Sequence, residues 1–357
     1  MVPRRILDTR TQGRPLVAGH VRSLAVTPGV SAVALNVTVT EPSTALDLEV
    51  FGTGDQPGRR TSNLNVVRGQ TRANLVVAPV GADGTVSFDV SQGSAHLVVD
   101  QLGTYAASGA ANTGESYRAL TPARILDTRL ADNPVQAGAD RSVRVLGIGG
   151  VPAGDVSSVA VLVTALGASA DMDLQTYPTG SRPAERTSTL NLTRGATVSN
   201  LALLPVGSDG SISLSVSQRS VSVVLDVVGW YRNDGASTTN GRLTPLTPTR
   251  LYDTRASDSP LLAGGDRAVQ VAGLAGVPSA ARSVLVNVTS TGATQPADVE
   301  TYPSGDKPSP RTSVLNVVRG QTAAVLVQAR LGADGKIVLS SSAGSMGVVL
   351  DVLGWSS

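Results

Sequence analysis

The feature that most constrains the fold of this chain is an internal threefold repeat. The hexapeptide RILDTR at 5–10 returns unchanged at 124–129 and as RLYDTR at 250–255. An RTSxLN segment at 60–65, 186–191 and 311–316 follows it, and then an apolar run with a central Asp at 98–103, 224–229 and 349–354. Because a copy is about 110 residues long, it has the size of a domain and not of a solenoid repeat.

The repeat predicts three domains of one fold, at 1–105, 117–232 and 242–357. The segments 106–116 and 233–241 are rich in Gly, Ala, Ser, Thr and Asn, a composition typical of linkers. Three copies in one chain fit either a string of separate domains or a pseudo-threefold ring that imitates a homotrimer. The sequence leaves both arrangements open.

Inside a copy, apolar residues recur with a period of two, as in VALNVTVT at 33–40 and SVLVNVTS at 283–290. This alternation indicates β-strands. A GADG segment at 81–84, with counterparts at 207–210 and 332–335, predicts a hairpin turn in each copy. We therefore expect an all-β chain of three tandem antiparallel β-sandwiches of jelly-roll type, with seven to nine strands each.

The aspartate in each apolar run indicates a buried ion pair. A buried carboxylate without a partner is costly, and the two arginines of the hexapeptide recur with it and could bind it in a bidentate manner. The Asp that precedes Thr-Arg is typical of a turn cap. We expect a structural clamp, with Arg5 or Arg10 on Asp100, formed by Asp8, Arg10, Asp100, Asp127, Arg129, Asp226, Asp253, Arg255 and Asp351.

Catalysis by a repeated site is not indicated. His20 and His96 occur in copy one alone, so a Ser–His–Asp triad could exist in one copy at most. We expect no enzyme, no catalytic residue and no cofactor. A Ca²⁺ site could draw on Asp47, Asp83 and their counterparts, but calcium loops cluster their carboxylates closely in sequence, and here the carboxylates stand singly.

Charge, cysteine content and hydropathy bound the partners further. The net charge is +2 without a basic cluster, which disfavours nucleic acid. The chain has no Cys, which excludes disulfides, and no apolar run has the length of a membrane span.

Carbohydrate sites usually present aromatic rings, on which sugars stack, yet aromatic residues make up only 3% of this chain. The rings at equivalent positions of different copies are the best candidates, and repetition would add avidity to weak sites. The predicted ligand-binding residues are Tyr177, Trp230, Tyr231, Tyr302 and Trp355. The alternative is that these rings fill the core.

The order RILDTR, LNVTVT, SxLN, GQTxAN, VGADG and DVVGWY resembles a tandem repeat of large secreted and surface proteins of high-GC bacteria, especially actinobacteria. There it often stands beside hydrolase or peptidoglycan-acting domains. The resemblance implies an extracellular or cell-surface location and a non-catalytic role. Copy one lacks the lead-in of the other copies, so we expect a fragment without its signal peptide.

Two functional hypotheses follow. The first is a binding or display module for cell-surface or cell-wall carbohydrate, which requires an exposed aromatic cleft. The alternative is a structural subunit or adhesive part of an extracellular fibre, sheath or phage-like appendage, whose partners are other subunits. It predicts buried aromatics and extensive contacts between copies or between chains.

Overall fold

The computed structural model describes residues 2–106, 114–232 and 241–357. Copy one contains one helical turn, α1 (Thr9–Gln12), and the strands β1 (Arg4–Asp8), β2 (Leu16–Val17), β3 (Arg22–Ala25), β4 (Val30–Thr40), β5 (Leu46–Gly52), β6 (Leu64–Val66), β7 (Arg72–Pro79), β8 (Thr85–Val90) and β9 (Ser94–Ala106). Copy two contains β10 (Ser116–Asp127), β11 (Val135–Gln136), β12 (Arg141–Arg144), β13 (Ser158–Leu166), β14 (Met172–Pro178), β15 (Leu190–Leu192), β16 (Val198–Pro205), β17 (Ser211–Val216) and β18 (Ser220–Arg232). Copy three contains β19 (Leu243–Asp253), β20 (Leu261–Leu262), β21 (Asp266–Gln270), β22 (Ser283–Thr291), β23 (Ala297–Pro303), β24 (Leu315–Val317), β25 (Ala323–Arg330), β26 (Lys336–Ser341) and β27 (Ser345–Ser356). No described helix has the length and hydropathy to cross a membrane.

Every copy builds the same two antiparallel sheets. In copy one the first sheet has the order β1-β9-β4-β7, with β2 added beside β9, and the second sheet has the order β3-β8-β5-β6. Side chains of β4 on the first sheet share one core with β5 and β8 of the second, as shown by Leu35, Leu48 and Phe88. Because the chain alternates between two facing sheets, each copy is a sandwich of jelly-roll type.

The GADG turn does not close a hairpin, and that prediction is wrong. It joins β7 of the first sheet to β8 of the second, and these two strands are not neighbours in either sheet. Gly81 packs so closely on the backbone of Thr53 that an added Cβ would lie 2.3 Å from the Thr53 carbonyl oxygen. The close approach lets the chain turn sharply from one sheet to the other. An Asp-Gly pair suits such a turn as well as it suits a hairpin.

The outer face of each first sheet is buried as well. Along β4, Ala34 and Asn36 are as inaccessible as Val33 and Leu35 on the opposite face. One hydrophobic cluster contains residues from all three copies, among them Ala34, Leu162 and Leu326. The period of two therefore marks two buried faces, one inside the sandwich and one against the neighbouring copies.

The three copies form one body. The prediction of an all-β antiparallel chain is confirmed. The copies are not three independent domains, because six small sheets form a propeller-like ring around the shared cluster. Of the two arrangements that the repeat left open, the string of separate domains is wrong. Most of the expected linker residues, 107–113 and 233–240, lie outside the described part of the chain.

Candidate functional site: the junctions between the copies

The first arginine of each hexapeptide binds the aspartate of the apolar strand. Arg5 lies directly opposite Asp100 in the β1–β9 ladder, and the Asp100 residue is 1% exposed. The Nε–Oδ1 distances are 2.9 Å for Arg5–Asp100, 2.8 Å for Arg124–Asp226 and 2.5 Å for Arg250–Asp351. Each pair joins the first strand of a copy to its last, and so attaches the outer strand of the first sheet to its neighbour.

The second arginine binds the aspartate of its own hexapeptide. Arg10 reaches Asp8 through Nε at 3.0 Å and Nη2 at 2.6 Å, and its backbone N–H donates to Asp8 Oδ1 at 3.1 Å. The same arrangement joins Arg129 to Asp127 and Arg255 to Asp253. The buried aspartates are therefore held by Arg5, Arg124 and Arg250, not by Arg10, Arg129 and Arg255, because the second arginine follows the end of the strand.

The two carboxylates of each clamp have opposite pKa shifts. Burial raises the pKa of Asp100, Asp226 and Asp351, and the bound arginine opposes this only in part. The hydrogen bonds from the second arginine lower the pKa of Asp8, Asp127 and Asp253, in the last case to about 2. The buried carboxylate is thus the member of the clamp whose ionisation costs free energy in the folded chain.

The first arginine also crosses to the next copy. Arg5 Nη2 donates to the backbone carbonyl of Arg186 at 3.1 Å. The equivalent contacts run from Arg124 to the Arg311 carbonyl at 2.9 Å and from Arg250 to the Arg60 carbonyl at 3.4 Å. Copy one thus holds copy two, copy two holds copy three, and copy three holds copy one, so the contacts form a closed cycle.

The arginine that receives this bond belongs to the RTSxLN motif and is anchored in its own copy. Arg60 binds Asp47 and Asp89, and Arg186 binds Asp173. Arg311 binds Asp298 and the buried Glu300. Each junction therefore links the first sheet of one copy to the second sheet of the next. The guanidinium of the first arginine binds the carbonyl of the second arginine, whose own guanidinium binds a carboxylate of the second sheet.

Asparagine side chains form a second layer of contacts between copies, a role that the sequence analysis did not assign. Asn200 Oδ1 accepts from Leu75 N–H at 2.9 Å, and Asn74 Oδ1 accepts from Leu326 N–H at 3.3 Å. Both amides also donate within their own copy, to Thr189 and Asn63 carbonyls. The recurrence of Asn in the GQTxAN motif was the available signal. Val325, the equivalent residue of copy three, has no side-chain oxygen to offer.

The proposed ligand-binding rings do not form an exposed cleft. Tyr177, Tyr302 and Tyr231 are buried, Tyr177 to 1% exposure, while Trp230 and Trp355 are half-buried. Tyr231 packs against Tyr117 and donates from Oη to Gln328 Oε1 of copy three at 3.1 Å. Tyr177 lies on β14 in the second sheet of copy two, and Trp230 on β18 in the first. Burial accounts for the raised pKa of Tyr177, about 12, with a further contribution from Asp140.

The carboxylates considered for Ca²⁺ have other partners. Asp47 binds Arg60, and Asp83 accepts from the backbone N–H of Thr85 at 3.0 Å. Across residues 2–106, 114–232 and 241–357, no three His, Asp or Glu side chains come together as a metal site would require.

No protein-family model and no curated protein matches the chain. Among solved structures, it is similar to one described as the atomic structure of Sulfolobus Turreted Icosahedral Virus, with 9% identity over 95% of this chain and 84% of that one, and a TM-score of 0.20. Another, described as the triple jelly roll fold and turret assembly in an archaeal virus, has 8% identity over 96% of this chain and 83% of that one, also with a TM-score of 0.20. Scores this low do not establish a shared fold, so function is argued from the geometry.

Proposed function

We propose that the protein is a non-catalytic structural subunit of an extracellular assembly such as a fibre, a sheath or a phage-like appendage. The observation that carries this proposal is the closed cycle of arginine–carbonyl contacts, which makes one chain a pseudo-threefold building block. Such a unit imitates a homotrimer and has two different ends along its axis.

The placement of the aromatic and charged groups supports the same proposal. The tyrosines that a sugar would need as a platform are buried, and the clamp arginines are bound to carboxylates and carbonyls of the protein. These groups stabilise the ring itself. A body with a fixed shape and internally bound charges suits repeated packing against other subunits, whose interfaces need preformed complementary surfaces.

The extracellular location is part of the proposal and is supported by the resemblance to repeats of secreted and surface proteins. The carbohydrate alternative would rest on Trp230 and Trp355, the half-buried rings at equivalent positions of copies two and three. Nothing else in the described geometry favours it.

Electron microscopy and sedimentation of the whole chain over a wide concentration range test the structural role. We expect ordered oligomers or filaments, and no binding to purified peptidoglycan or to a glycan array. A chain that stays monomeric at every concentration, but binds a glycan saturably and loses that binding on Trp230→Ala, would contradict the proposal and favour the carbohydrate module.

A further inference from the structure

Copy one differs from the other two copies on its outer surface. An open groove of about 770 Å³ lies along residues 12–23 and is lined by Arg14, Val17, Val21 and Arg22, among others. Val17 and Val21 are 44% and 49% exposed. Exposed aliphatic side chains beside arginines mark this groove as a candidate interaction surface.

The equivalent segments of copies two and three serve as internal references, since they align with the groove without gaps. Two positions that are acidic in those copies are neutral in copy one. One position that is neutral in those copies is basic in copy one. Gly13 and Val21 stand in place of Asp132 and Asp140 in copy two and of Asp258 and Asp266 in copy three; Arg14 stands in place of Asn133 and Ser259. The groove segment of copy one therefore contains arginines and no acidic residue, whereas the equivalent segments of copies two and three each contain two aspartates.

A neighbouring ion pair is replaced as a unit. In copy two Asp140 binds Arg182 at 3.1 Å, and in copy three Asp266 binds Lys307 at 3.1 Å. The cations lie 5.8 and 5.5 Å from the ring centroids of Tyr177 and Tyr302. In copy one the three positions are Val21, Gln56 and Phe51. The replacement removes the ion pair and leaves no charge at these three positions.

The groove borders β3, the outer strand of its sheet, which has a partner strand on one side only. An outer strand offers backbone N–H and C=O groups to an added strand, and charges placed there discourage such pairing. Copies two and three have the Asp140–Arg182 and Asp266–Lys307 pairs at this edge. Copy one has neither charge.

Neither arginine of the groove has an acidic partner among the described residues. Arg22 donates to two neutral acceptors, the Arg14 carbonyl and Gln12 Oε1. Arg14 is exposed, and its side chain makes no ion pair with any described residue. An extended peptide with a carboxylate beside apolar side chains would give the arginines an ionic partner. It would also cover the two valines and form hydrogen bonds with the edge of β3.

We propose that this groove binds an extended acidic segment of a partner protein, added beside β3. Its apolar side chains cover Val17 and Val21, and its carboxylate binds Arg14. The inference rests on the proposed function in one respect, namely that the partner is a component of the assembly. Peptide binding itself is measured without any assembly.

The test is a displayed library of random octapeptides, selected on the whole chain and counter-selected on the double variant Gly13→Asp/Val21→Asp. This variant carries the residues of the other two copies. Its backbone is compatible with aspartate, because Asp132 and Asp258 adopt positive φ angles of 44° and 46° where Gly13 has 61°. We expect the enriched peptides to alternate Asp or Glu with Val, Ile or Leu.

A synthetic peptide of the enriched sequence should bind the native chain at least about 10-fold more tightly than the double variant or Arg14→Asn. Its binding should weaken with salt and protect the amides of Arg22–Ala25 from hydrogen exchange. The proposal is overturned if no peptide distinguishes the two proteins, if the enriched peptides lack acidic residues, or if heparin binds the groove and no peptide does.

The two proposals fail in different ways. If the chain forms ordered oligomers but the library yields no acidic peptide, the structural role stands and the groove proposal is wrong. If acidic peptides bind and the chain never assembles, the groove proposal stands and the structural role is wrong.

Discussion

Both arginines of each hexapeptide lie near its own aspartate, as Arg250 lies 3.3 Å from Asp253. Only the first arginine also binds the buried aspartate, because the strand ends between the two arginines. Arg5 lies in β1 opposite Asp100, and a register shift between Arg5 and Leu7 follows it. Arg10 lies in α1, beyond the strand, where Asp8 caps the turn. The sequence predicted the set of charged residues, but both arginines were within reach of Asp100, and only the strand end separates their roles.

The opposite pKa shifts predict a specific dependence of stability on pH. The pKa of Asp253 is lowered to about 2 in the folded chain, chiefly by its hydrogen bond from Arg255. Its contribution is present above the unfolded pKa near 3.8 and is lost as pH falls towards 2. Asp253→Asn should therefore reduce the free energy of unfolding at pH 7 and lessen its decline between pH 4 and 2, as measured by urea denaturation.

Asp226→Asn provides the comparison with the opposite sign. Burial raises the pKa of Asp226, so its charged form destabilises the fold above that pKa, and protonation relieves the cost as pH falls. The decline of stability in acid should be steeper in this variant than in the native chain. Equal slopes in the native chain and both variants would contradict the assignment.

Arg72 is a buried charge that copy one alone carries. It is 4% exposed, forms no ion pair with a described residue, and burial lowers its pKa to about 10. The equivalent residues are Val198 and Ala323. Removing an uncompensated buried charge stabilises a fold, so Arg72→Val should raise the free energy of unfolding by about 2 kcal/mol. The exposed neighbour Arg68→Val should change it by less than about 0.5 kcal/mol, and a loss of stability in Arg72→Val would contradict the interpretation.

At the scale of elements, the outer strands β7, β16 and β25 meet around the axis of the ring. Asn200 on β16 accepts from β7, and Asn74 on β7 accepts from β25. By the same geometry Leu201 N–H on β16 faces Val325 on β25, whose side chain cannot accept a hydrogen bond. The junction between copies two and three thus lacks one contact that the other junctions have.

This difference predicts opposite effects at equivalent positions. Asn200→Ala should lower the free energy of unfolding by about 1–3 kcal/mol, because it leaves the buried Leu75 amide unpaired. Val325→Asn should raise it by about 1 kcal/mol, because it supplies the acceptor for Leu201. Thermal or urea denaturation measures both. A Val325→Asn variant less stable than the native chain would show that the third junction is not equivalent to the others.

The strands were predictable from the period of two, while the pairing of their second faces was not. Alternation in VALNVTVT identifies β4, but it cannot distinguish Ala34 and Asn36 facing solvent from the same residues packed against a neighbouring copy. The GADG turn failed for a similar reason, since a tight turn suits a hairpin and a crossing between sheets equally well. Local patterns define elements, and contacts distant in sequence decide how the elements meet.

At the scale of the whole molecule, the ring depends on contacts that no motif encodes. Arg5 binds a backbone carbonyl at position 186, and a carbonyl has no residue signature in sequence. The threefold repeat allowed both a string of domains and a closed ring, and only the cycle of contacts and the shared hydrophobic cluster distinguish them. The replacements at the outer groove of copy one can be read from the sequence once the copies are aligned, but the sequence alone did not single them out, because it does not show that these residues lie close together.

The central claim is that three copies fold as one ring. Scanning calorimetry of the native chain and of Asp226→Ala tests it most directly. Loss of the carboxylate leaves Arg124 without its buried partner in copy two, at a cost of about 3 kcal/mol. A ring unfolds cooperatively, so we predict one transition in both proteins, shifted as a whole to lower temperature in the variant. Separate transitions, of which only the one from copy two moves, would contradict the ring.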